Sequence, residues 1–195
     1  MSAPPRSAER GLRRGAALLA GAALLVMPAL AGAQPPLRLS PLVEDLERGL
    51  FCATDEGSRM EAPDTEFGWI HIPEEPVAMR LPGTTVPAVL GLGFGIEYLI
   101  GGTDPVPIRY EIAHPPMPPS GRVQQSWEAW VFGGEPEVVF FQFDIDAELL
   151  PGRWSFAAFA GDKELFFAAF DIVIPEAAPN LAGLCAGGEL LTLNR

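Results

Sequence analysis

From Gly49 onward the chain is written in short apolar/polar alternations, each cut off by a cluster of proline or glycine, and no stretch there sustains a helical period. Successive side chains of a strand point to opposite faces, so such alternation reads as half-buried strand and the Pro/Gly clusters as turns. In the longest run, Ala88, Leu90, Leu92, Phe94, Ile96, Tyr98 and Ile100 share one face. The other face carries Val89, Gly91, Gly93, Gly95, Glu97 and Leu99. Glycines inside a strand are not the strand-to-helix turn that a dinucleotide needs, which excludes a nucleotide loop. Ile108, Tyr110 and Ile112 mark a further strand ending at His114, where Pro115-Pro116 and Pro118-Pro119 are expected to stop the ladder. Val139, Phe141, Phe143 and Ile145 point inward and Gln142, Asp144 and Asp146 outward. Segments 153–160 and 163–174 form a hairpin about Gly161-Asp162. Segments 67–72, 77–81, 122–132 and the stretch around Leu50–Thr54 complete about eight strands. The fold expected is all-β, a single immunoglobulin-like antiparallel β-sandwich.

What precedes this region has another grammar. Arg6, Arg10, Arg13 and Arg14 lead into an uncharged Ala/Leu run over 16–31, and Ala31-Gly32-Ala33 supplies the small residues of a cleavage site. Residues 1–33 therefore read as a cleaved signal peptide, because a spanning helix needs about 20 apolar residues without a proline such as Pro28. Residues 34–48 are a lead-in, in which Ser40-Pro41 opens either a short helix or an edge strand. The sandwich domain is assigned to 49–195.

Without residues 1–33 the chain has 9 basic and 24 acidic side chains, a net charge of −15. That surface repels phosphate backbones and anionic lipid, which argues against nucleic-acid partners. No stable membrane segment remains after processing, and the destination is periplasmic or secreted. Cys52 and Cys185 are the two cysteines, and an even count in an exported chain favours a disulfide between them.

Catalytic sets are not apparent. There are two histidines, His71 and His114, and no Gly-x-Ser-x-Gly elbow or His-Glu-x-x-His motif. Ser40, Ser58, Ser120, Ser126 and Ser155 have no recognisable nucleophile context. The acids Asp55, Glu56, Asp64, Glu66, Glu74 and Glu75 read first as solvated loop residues, and Asp64 as an Asx-turn former. No Asp-x-Asp-x-Asp-Gly spacing supports calcium in the acidic loop 55–66. His114 and Met117, on a proline-stiffened loop, offer an imidazole and a thioether suited to copper, with His71, Met60 and Met79 as further candidates. Of the four tryptophans, Trp127 and Trp130 differ by three positions and must face opposite ways, so no broad aromatic platform for sugars is expected from them, and Trp154 reads as core.

Gly49-Leu50-Phe51-Cys52, Ala62-Pro63-Asp64-Thr65, Gly68-Trp69-Ile70-His71-Ile72-Pro73 and Val86–Gly91 with Phe94-Gly95 carry a family likeness. It continues through His114–Pro118 and Glu148–Trp154. On these motifs, over about 47–174, the chain resembles a family of uncharacterised exported proteobacterial proteins, domain of unknown function 3859. The resemblance implies one exported domain and lends no activity or cofactor.

The function expected is a non-catalytic exported module without cofactor that binds or braces a macromolecular partner, a protein or another envelope component. A copper-binding protein centred on His114, Met117 and His71 is one alternative, and a hydrolase using dispersed acids is another. Two surfaces are candidates for the interface. One is the glycine face of Gly91, Gly93 and Gly95, where backbone is bared. The other is the Leu165/Phe167 side of the last hairpin strand, which is apolar where a wet face should be polar.

Overall fold

The computed structural model describes Met1 and residues 35–185. The expected signal peptide, residues 1–33, lies outside the described residues apart from Met1. Alternation governs where side chains go: Leu92, Phe94, Ile96, Tyr98 and Ile100 are all buried, as are Ile108, Tyr110 and Ile112. Twelve strands result: β1 (Leu37–Leu39), β2 (Val43–Cys52), β3 (Gly57–Glu61), β4 (Trp69–Pro73), β5 (Leu81–Pro82), β6 (Thr85–Pro87), β7 (Leu92–Ile100), β8 (Pro105–Met117), β9 (Arg122–Phe132), β10 (Glu137–Gln142), β11 (Gly152–Ala160) and β12 (Lys163–Val173).

One sheet runs β1-β12-β11-β8-β9, with β6 parallel to the far half of β12. The other runs β10-β7-β2-β5, and β3-β4 is a separate hairpin. The two larger sheets enclose one core, making an immunoglobulin-like antiparallel sandwich. At its centre Phe94 of β7 meets Trp154, Phe156 and Phe170 of the opposite sheet, with ring centroids 5.7, 5.7 and 5.2 Å away. Edge-to-face aromatic packing of this kind adds about 0.5–1.5 kcal/mol per pair beyond area burial.

Of the two alternatives for the lead-in the structure takes the strand: β1 pairs with β12 and β2 begins at Val43. Arg48 of β2 donates to Pro35 O and Ala169 O, both at 3.1 Å, filling the gap where β1 and β6 meet along β12. Three other elements depart from the sequence expectation. Strand β8 runs through Pro115-Pro116 rather than ending at His114. The ladder to β9 breaks between Ala113 and Met117, so the prolines sit where no backbone donor is needed. Segment 77–81 is strand only from Leu81, and its earlier residues cross the outer face of the second sheet, with Met79 Cβ 3.2 Å from where a Gly49 side chain would begin. The acidic loop 55–66 contains β3.

The connection from β9 to β10 carries the chain from the last strand of one sheet to the last strand of the other. The sandwich is open along that side, and the β3-β4 hairpin is fastened across the opening. At its tip Glu66 N–H donates to Gln125 Oε1 (2.8 Å), Arg122 Nη1 donates to Asp64 O (3.1 Å), and Ser120 Oγ donates to Glu66 Oε2. The tip turn is closed by Thr65 Oγ1 donating to Ala62 O (2.7 Å), whereas Asp64 serves through its carbonyl. At its base Gln142 Nε2 donates to Thr54 O (3.1 Å). Gln142, expected to face solvent, is buried in this role.

Candidate functional site

The hairpin does not seal the opening. A cleft of about 510 Å³ remains beneath it, within the range of ligand sites and mostly apolar as those are. Trp69 to Val77 line one wall and Pro136 to Gln142 the other, while Tyr110, Ile112, Trp127 and Ala129 form the floor. Both walls contribute consecutive residues. Consecutive strand residues point to opposite faces, so the cleft fronts the edges of β4 and β10 rather than a face of either. Ile72 and Phe67 at the mouth are 38% and 44% exposed.

The charged groups of this cleft are of one sign. Glu74, Glu75, Glu137, Asp144 and Glu148 line it, and no lysine or arginine does. Burial pushes the Glu137, Asp144 and Glu148 carboxyls above the ordinary carboxylate range. Glu148 is also held in place, since its Oε2 accepts the backbone N–H of Asp144 (2.7 Å) and of Ile145 (3.1 Å). Tyr110 of the floor and Tyr98 share a hydrogen bond of 2.5 Å inside the core, and burial raises both phenols above their ordinary range. A second hollow of about 480 Å³ lies on the other side of the hairpin and shares Trp69, His71, Gln142, Asp144 and Glu148 with the first.

The copper candidates are dispersed. His114 is buried, stacks on Trp154 at 4.8 Å, and has both ring nitrogens engaged. Its Nδ1 donates to Pro115 O (2.8 Å), and its Nε2 accepts from Gln125 Nε2 (3.1 Å). Desolvation lowers its pKa, which keeps the ring neutral. Met117 is wholly buried in the core, Met79 lies over Gly49, and only His71 and Met60 line the cleft. Among the described residues no three His, Cys, Asp or Glu side chains converge as a metal would require. Cys52 and Cys185 are joined to each other, with Cα atoms 5.4 Å apart.

The glycine and hairpin surfaces are corrected too. Gly91 is an exposed turn residue at φ +80°, outside β7, but Gly93 and Gly95 are buried. The Phe51 ring lies on Gly93, and Val139 O and Phe140 crowd Gly95. Leu165 sits at an irregularity in the β11-β12 ladder that turns it into the core. Phe167 is half-buried beneath the Arg38 guanidinium, 4.1 Å from its ring centroid. Neither surface offers the bare apolar face expected of it. Trp130 is 66% exposed and Trp154 is core, as the strand spacing requires.

The sequence reading passed over the cleft. Its signal is Val138-Val139-Phe140-Phe141 and Trp69-Ile70-His71-Ile72, runs without alternation in strands that turn out to be edges. An edge strand apolar on both faces is an edge that something covers.

In comparison with known proteins, the family model described as domain of unknown function (DUF3859) matches residues 39–172. Among solved structures the chain is similar to an immunoglobulin-like protein from Pseudomonas aeruginosa, with a TM-score of 0.47 and 24% identity, covering 73% of this chain and 100% of that one. No curated protein matches.

Proposed function

The chain belongs to the family of domain of unknown function 3859, and we propose that it is an exported, non-catalytic binding module whose working surface is the β4-β10 cleft. The observation that carries this reading is the cleft itself. It is an apolar hollow with exposed aromatic and aliphatic residues at its mouth and carboxylates but no cation in its lining. Apolar walls with a few fixed polar groups are suited to holding a ligand in one orientation. Two of the acids have structural partners, which supports a non-catalytic reading: Glu148 caps a turn, and Asp144 accepts from Gln142 Nε2 at 2.9 Å. The Cys52–Cys185 bond fits an oxidising compartment, and no helix among the described residues is long and apolar enough to cross a membrane. The partner is a macromolecule of the cell envelope.

The test is site-specific photo-cross-linking in cells that export the full chain. A photoreactive residue at Ile72, at the cleft mouth, should yield a discrete high-mass adduct, and one at the comparably exposed Leu37 on β1 should not. No adduct from position 72, or the same pattern from both positions, overturns the reading.

A further inference from the structure

Building on the binding reading above, we infer that the cleft takes up an extended, apolar, positively charged peptide as an added strand on the free edge of β10. The backbone register says which groups are on offer. Strand β10 pairs with β7 alone, in the register Val139↔Ile96 and Phe141↔Phe94, and Phe143 N–H donates to Leu92 O at 3.0 Å. In an antiparallel ladder alternate residues direct both N–H and C=O at the partner. Val139 and Phe141 therefore face β7, and Val138, Phe140 and Gln142 direct theirs the other way, toward the cleft, where the Val138 N–H meets the Glu137 carboxyl. Across the cleft β4 pairs with β3 alone, but its outer edge is less free, since Trp69 O accepts from Thr65 Oγ1 (3.1 Å) and Pro73 carries no N–H, so the addition is assigned to β10.

A row of unpaired donors and acceptors at strand spacing is the template on which strand addition works. A small apolar molecule does not match it, because it lacks a periodic set of amides. The slot has the right extent, since the six residues of β10 at 3.2–3.4 Å each give roughly 20 Å. It also has seats for alternate side chains. Phe141, Trp127 and Tyr110 lie on the core side of the β10 edge, and Phe140, on the opposite face of β10, lines it from the outer side. Gln142, tied to Thr54, closes one end.

Charge decides the character of the occupant. Five carboxylates and no lysine or arginine line the slot, so lysine or arginine flanking an apolar segment is attracted and an acidic segment repelled. The same argument disfavours a second copy of this chain, whose net charge without residues 1–33 is −15.

The test uses a display library of random heptapeptides selected on the folded, disulfide-bonded protein, and the most enriched peptide as the probe. Enriched sequences should alternate apolar residues and carry lysine or arginine. Methylating alternate backbone nitrogens of that peptide should weaken its binding at least tenfold by calorimetry. Phe140→Pro, which removes an N–H directed at the slot and none directed at β7, should do the same. The methylated peptide keeps the question decidable should that variant fold poorly. Selection of acidic sequences, absence of enrichment, or an affinity indifferent to N-methylation overturns strand addition. A persisting Ile72 adduct alongside any of these results leaves the broader binding reading standing, so the two fail separately.

Discussion

Gly93→Ala should destabilise the domain by about 2 kcal/mol, and removing the Phe51 ring should abolish that cost. A Cβ on Gly93 would lie 2.2 Å from Phe51 Cζ and 2.5 and 2.6 Å from the flanking ring carbons. Non-bonded carbons rest at about 3.5–4.0 Å, so the ring would have to retreat by more than about 1 Å. Little room is available: Phe51 is 2% exposed and meets the Phe140 ring edge-on, with centroids 5.3 Å apart. Overpacking of this kind costs roughly 1–3 kcal/mol, and this mismatch belongs at the upper end. Alanine returns about 0.5–1 kcal/mol by restricting the unfolded chain and the strand interior, which leaves the net figure.

Phe51→Ala alone should cost about 3–5 kcal/mol. In that background Gly93→Ala meets no ring and becomes neutral or stabilising, a coupling of about 2–3 kcal/mol. Gly95→Ala is the comparison, because its Cβ would meet chiefly backbone, Val139 O at 2.4 Å and Phe140 Cα at 2.8 Å, together with Phe140 Cβ at 2.8 Å. Most of its cost should persist without Phe51. Urea melts of the four members of the cycle, compared at constant slope, give the coupling directly. If Gly93→Ala costs the same in both backgrounds, to within about 0.5 kcal/mol, the glycine is not there to seat the ring.

Replacing both Cys52 and Cys185 with serine opens a loop spanning 133 residues and should lower stability by up to about 5 kcal/mol in the chain-entropy account; an unchanged urea midpoint under non-reducing conditions would sink that account. The half-buried Glu137 carboxyl has a folded pKa raised by desolvation above its ordinary 4.5, so the folded state binds its proton more readily than the unfolded chain. Its contribution to stability is therefore present below pH 4.5 and is lost as pH rises through the folded value. Glu137→Gln should be more stable than wild type at pH 7, with the advantage vanishing below pH 4.5, and urea melts across that range showing the opposite slope would refute it.

The sandwich was legible because alternation is a local property. Leu92 to Ile100 and Ile108 to Ile112 announce their inner faces in the order of residues, and the structure buries them accordingly. Composition also announced Trp154 as core. What sequence could not announce is what lies above a face. The glycines of β7 read as bared backbone because Phe51, more than forty residues earlier, covers Gly93 only once β2 has paired beside β7. Leu165 read as an outward residue because a ladder irregularity between Ala158 and Phe159 is invisible to a strict period of two. His114 and Met117 are neighbours in sequence, yet one is held by Gln125 and Trp154 and the other is sunk in the core. The cleft was missed for the same reason. Its walls come from strands in two different sheets, and only topology shows that both strands are edges.

The glycine face and the cleft, which sequence treated as unrelated, belong to one mechanical unit. Gly93 is small so that Phe51 can lie flat on β7, and Phe51 in turn supports the edge of Phe140. Phe140 is a wall residue of the cleft and one of those whose backbone faces away from β7. An edge strand with one ladder partner is the part of a sheet most prone to fray. Here β10 gains a second hold from the outer face through that aromatic contact, and a third from Gln142 clasping Thr54. A cleft that presents a strand edge to a ligand needs that edge to be stiff before the ligand arrives, because any ordering left to the binding step subtracts from affinity. Supporting β10 from behind, at Phe51, achieves this without filling the slot in front of it.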